Sequence, residues 1–103
     1  MSTWLVRLER NKAVVAELSG YYEDPFAELV SPDTPKARVG CTYKRALQSY
    51  GGEALSFNVS IECDQNKAAI DRAGELAMTK VLEMLGQGVD LLARLEEEAR
   101  KSG

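Results

Sequence analysis

From Leu55 to Cys63 apolar and polar residues alternate: Leu55, Phe57, Val59, Ile61 and Cys63 against Ser56, Asn58, Ser60 and Glu62. Successive side chains of a strand point to opposite faces, so this run reads as a strand with one buried face. Upstream, Val39, Cys41, Tyr43 and Leu47 form a second alternating set, interrupted by Arg45. Together they predict an antiparallel hairpin over about 38–49 and 53–63. A two-residue turn at Gly51-Gly52 would pair Tyr50 with Glu53 and send the upstream apolar set to the wrong face. A three-residue loop, Tyr50-Gly51-Gly52, corrects this. Ser49 then closes against Glu53, and Leu47–Leu55, Tyr43–Val59, Cys41–Ile61 and Val39–Cys63 become opposite partners, with Arg45 opposite Phe57.

The period changes after the hairpin. Ile70, Ala73, Ala77, Val81, Met84, Leu85, Gly88, Leu91, Leu92 and Leu95 recur mostly at three and four residues, which is helical spacing. One long amphipathic helix is expected over about 65–101, capped by Asp64 or Asn66. Lys67–Asp71, Asp90–Arg94, Glu96–Arg100 and Glu97–Lys101 are opposite charges four apart, which supports it. Gly86 and Gly88 are poor helix residues, but the stripe continues in phase across them, so the helix is expected to bend at most.

The N-terminal segment admits two readings. Leu5, Leu8, Val15 and Leu18 have helical spacing, whereas Trp4, Val6 and Leu8 alternate and Arg10-Asn11-Lys12 could turn the chain back on itself. The abundance of good helix formers favours the helix. Residues 21–35 hold Pro25, Pro32 and Pro35 among several acids and read as a loop, pinned to the core by Phe26, Leu29 and Val30. The fold class is therefore α+β: an antiparallel hairpin, a long C-terminal helix, and an N-terminal helix or hairpin in a single domain of 103 residues.

Composition narrows the chemistry. The chain has no His, which removes the commonest general base and the usual nucleophile triads. Glu53, Glu62 and Asp64 fall near the hairpin ends, and Asp64 is better used as a helix cap. Glu23, Asp24 and Glu28 lack the spacing of a calcium loop. Cys41 and Cys63, without His, make an unusual zinc set and fit small apolar strand positions better. No catalytic residue, metal or cofactor is expected. There is no apolar run of transmembrane length, and the first residues lack a signal-peptide layout, so the expected location is the cytoplasm, without membrane contact.

The net charge is −3, yet residues 34–52 carry Lys36, Arg38, Lys44 and Arg45 and no acid. Cations interleaved with aromatics can hold single-stranded nucleic acid, phosphates on the cations and a base stacked on an aromatic ring. Lys36, Arg38, Lys44, Arg45 and Tyr50 are the candidate residues for single-stranded DNA or RNA binding. A sheet backed by a long helix resembles the Whirly-type single-strand binders in outline, a likeness of architecture with no shared motif. A helix of about 35 residues spans roughly 50 Å, against about 30 Å for the upstream strand set. The overhang predicts that the N-terminal segment or a second copy covers the excess stripe. We expect a homodimer through Val81, Met84, Leu85, Gly88, Leu91, Leu92 and Leu95. The alternative is a protein-interaction or scaffold module with no nucleic-acid role.

Overall fold

A computed structural model describes residues 2–22, 29–46 and 52–102. Four strands form one antiparallel sheet: β1 (Ser2–Arg10), β2 (Ala13–Tyr22), β3 (Lys36–Ala46) and β4 (Glu53–Asp64), in the order β2-β1-β4-β3. Two helices follow, α1 (Lys67–Gly86) and α2 (Gly88–Ser102). The α+β architecture, with a hairpin feeding C-terminal helices, is the one the pattern predicts.

The N-terminal segment is the hairpin, not the helix that residue propensity favours. Asn11 and Lys12 take positive φ of 52° and 68°, and Arg10 pairs with Ala13 across them. Two left-handed residues in a two-residue loop match the twist of the flanking strands. β1 lies between β2 and β4, so its backbone is hydrogen-bonded on both sides, and its alternating residues Val6 and Leu8 are fully buried. Long-range pairing here overrides a weak local preference.

The β3–β4 register also differs from expectation. Tyr43 faces Phe57, Cys41 faces Val59, Val39 faces Ile61 and Arg45 faces Leu55. This is a slip of two residues, which keeps every side chain on its expected face because the strand period is two. The register is held at the far end of the hairpin, where Lys36 opposes Asp64 and the Gln65 amide donates to the Pro35 carbonyl at 2.9 Å. β3 is described as far as Ala46 and β4 from Glu53; the expected closing partner Ser49 and the loop Tyr50-Gly51-Gly52 fall on the stretch between them. Most of it, including Tyr50, lies outside the described residues.

The helices cover one face of the sheet. α1 packs over β4 and β3, and α2 over β2 and β1, so the helix layer crosses the sheet diagonally. Asn66 is the N-cap: its Oδ1 accepts the Ala69 amide at 2.9 Å. Asp64 caps nothing and instead accepts the Ser31 amide at 2.8 Å. The run divides at Gln87, whose amide donates to the Met84 carbonyl at 3.1 Å, a tighter turn than the α-helical four-residue step. The stripe nevertheless stays in phase, since Met84, Leu91 and Leu95 are all buried. Of the residues left over by the hairpin, Leu91 and Leu95 are thus covered by the chain's own N-terminal strands. The core joins Val6, Leu8, Phe57, Val59 and Ile61 of the sheet to Ala73, Ala77 and Leu95 of the helices. Leu29 closes one end of it, and Val30 packs partly against it.

Candidate functional site

The cations that are adjacent in sequence do not form one patch. Lys36, Arg38 and Lys44 share the parity that faces away from the helices, whereas Arg45 lies on the helix side. Lys36 is clamped: its ammonium meets Asp64 Oδ1 at 2.9 Å and also donates to the Ser31 carbonyl. The Ser31 amide and the Lys36 ammonium hold the Asp64 carboxyl at a pKa of about 2. The Lys44 ammonium lies 2.8 Å from Glu9 Oε2 of β1, and the Arg38 guanidinium donates to Ser60 Oγ at 3.0 Å. Tyr43, on the helix side, is 44% exposed. The remaining candidate, Tyr50, lies outside the described residues.

The sheet face opposite the helices is mostly small and polar. Asn58 donates to Thr42 Oγ1 at 3.0 Å, flanked by Ser56 and Ser60. Arg10 and Glu53, 3.3 Å apart, lie instead on the helix side beside Glu96 and Arg100 of α2, while on the polar face Arg7 pairs with Glu17 at 3.2 Å. Neither motif nor geometry singles out a reactive group there. Among the described residues no three His, Cys, Asp or Glu side chains converge as a metal site would require; Glu23, Asp24 and Glu28 fall outside them. Both cysteines are free thiols, and burial pushes the Cys63 thiol up, away from the reactive thiolate.

The helices hold more. Of the seven residues expected at a dimer interface, Val81, Met84, Leu91 and Leu95 are already buried in the chain's own core. Leu85 and Leu92 are only partly covered, and a Cβ placed on Gly88 would meet nothing within 4 Å. Beside them stand three residues that the sequence reading passed over. Met78, Leu82 and Val89 are 60, 64 and 85% exposed. Met78, Leu82, Leu85, Val89 and Leu92 are separated by four, three, four and three residues. That is a second stripe, turned toward the β3 side of the helix layer. Its spacing was visible in the chain, but it merged with the core stripe into one broad apolar arc.

Two depressions flank the helix junction. On the β3 side a groove of about 580 Å³ has Leu55 and Phe57 as its floor, Leu85, Val89 and Leu92 as one wall, and Arg45 at its rim. It exists because α2 veers over β1 and β2, away from the Ala46 end of β3. On the β2 side a smaller cleft of about 250 Å³ lies between Trp4, Tyr22, Lys80, Gln87 and Arg94. There the Lys80 ammonium sits 5.7 Å from the centre of the Tyr22 ring, while burial and then Glu83 push the Tyr22 hydroxyl up. Trp4 lies flat over Gly20, where an added Cβ would come within 2.6 Å of the indole.

Comparison with protein-family models, with curated protein sequences and with solved structures returned no match. Among the described residues no helix is long and apolar enough to cross a membrane.

Proposed function

We propose that this chain is a non-enzymatic protein-docking module that receives a partner's helix along the outer stripe of α1 and α2. The observation that carries the reading is the line Met78, Leu82, Leu85, Val89 and Leu92, in which Met78, Leu82 and Val89 are exposed and Leu85 and Leu92 are half-buried. A helix resting on a sheet needs one apolar stripe, and Ala73, Ala77, Val81, Met84, Leu91 and Leu95 already supply it. The second has an average period of 3.5 residues, the spacing of knobs-into-holes packing between helices. A contiguous apolar strip left in water is the usual mark of an interaction surface.

Single-stranded nucleic acid is the competing reading, and the cation pairing weakens it. Lys36 and Lys44 are matched by Asp64 and Glu9, and Arg45 faces the other way. A polyanion would have to displace those carboxylates from a chain of net charge −3. Titration of labelled single-stranded DNA and RNA at low and moderate salt separates the readings. No salt-sensitive binding is expected at micromolar protein. Micromolar binding that weakens with salt and disappears in a Lys44→Glu, Arg45→Glu double variant would favour nucleic acid instead.

For docking itself, a photo-crosslinking residue is placed at position 82 and, as a reference, at position 58 on the polar sheet face, in cells of the native host. Discrete protein adducts at 82 and none at 58 are expected. Equal yields, or adducts only at 58, would overturn the docking reading.

A further inference from the structure

We infer that the helix received by this stripe is the same stripe of a second copy, running antiparallel about a two-fold axis at Gln87. The inference rests on the docking reading and names its occupant. In this arrangement Leu85 meets Val89 of the second copy and Leu82 meets Leu92 of the second copy, each contact occurring twice, as in an isologous interface. The flanking positions at the axis are Gly86 on the solvent side and Gly88 on the sheet side, each facing its own symmetry mate. A Cβ added to either glycine would meet nothing within 4 Å in the single chain, so packing within the chain does not require them. Glycine is disfavoured inside a helical run. At the axis it lets the two backbones approach closely.

Charge sets the direction. Continued by one step each way, the stripe reaches Glu75 before Met78 and Glu96 after Leu92. A parallel pair would stack Glu75 on Glu75 and Glu96 on Glu96, like charges across a seam. The antiparallel pair instead brings Arg100 of the second copy beside Glu75 at both ends of the contact, and sets Glu96 of the second copy over Met78. Glu75 and Arg100 are both at the surface, and Glu75 already holds Arg72 at 3.2 Å. The groove floored by Leu55 and Phe57 opens beside the axis, where a second helix would roof it.

The size of the contact limits its strength. Residues 75–100 span roughly 38 Å at 1.5 Å per residue. With helix axes about 8–10 Å apart, the strip covers roughly 400 Å² on each copy. That is below the roughly 800 Å² per partner of a standard specific interface. The dimer should therefore be a concentration-dependent one that dissociates on dilution.

Sedimentation velocity of the full chain from roughly 1 µM to 1 mM, the range of weak complexes, tests this. The mass should rise from 11.3 kDa toward twice that value. Glu75→Arg and Arg100→Glu should each weaken association several-fold, and the double swap should restore it, with thermal melts of all three variants confirming that they fold. A monomer throughout the range overturns the second copy as occupant. The docking reading then stands if position 82 still crosslinks to a different protein, and falls with it if position 82 crosslinks to nothing. A dimer insensitive to both Leu82→Asp and the charge swaps would place the interface elsewhere and also overturn the inference.

Discussion

The same two helices carry two apolar stripes with opposite fates. The inner one, Ala73, Ala77, Val81, Met84, Leu91 and Leu95, lies against the sheet and is almost fully buried. The outer one, Met78, Leu82, Leu85, Val89 and Leu92, starts with similar side chains and leaves much of them in water. Two small alanines let α1 settle close to the sheet in the first case, and two glycines stand beside the leucines in the second. Apolar character alone thus says little about what a residue does. What separates the stripes is the surface each one meets: the inner one lies on the sheet, and the outer one touches the chain's own core only in part, through Leu85 and Leu92.

That contrast can be broken from the inside first. Leu95 is fully buried, so Leu95→Ala should cost about 2–5 kcal/mol in denaturant unfolding through lost burial and a cavity. A loss under about 1 kcal/mol would mean that α2 is not part of the core.

The pH dependence probes the clamp that holds the hairpin end where the helices begin. The carboxyl of Asp64, at about 2, is well below the usual value of about 3.9 for an unfolded chain. A depressed carboxyl contributes stability above its unfolded value and loses it as pH falls toward the folded one. Stability should drop between about pH 4 and pH 2, and Asp64→Asn should flatten that drop. An unchanged acid profile in the variant would remove the clamp from the account.

The glycines sharpen the comparison with the opposite sign. With open space where each Cβ would go, Gly86→Ala should stabilise the isolated chain by up to about 1 kcal/mol through helix propensity. If the outer stripe pairs across Gln87, the same change should weaken association. A variant less stable as a monomer would point to packing that the structure does not contain.

The chain's own pattern made much of this legible. The alternation from Leu55 to Cys63 placed every buried apolar residue of β4 on the correct face, and the helical period found the inner stripe. The two-residue slip between β3 and β4 was invisible to that logic, because it moves partners without changing faces. The N-terminal hairpin depends on β4, a strand more than forty residues downstream, and local propensity could not supply it. The charge run misled for a similar reason. The partners of Lys36 and Lys44 are far away in sequence, and the sheet brings them Asp64 and Glu9. The outer stripe was legible in its spacing, but the broad apolar arc hid it until burial divided that arc in two.

The most direct test of the two-stripe account is the denaturant unfolding of Leu82→Asp in dilute solution. With Leu82 64% exposed and serving a partner, the midpoint should stay within about 0.5 kcal/mol of the unmodified chain. A loss on the scale of Leu95→Ala would show that the outer stripe is structural after all, and would contradict the account.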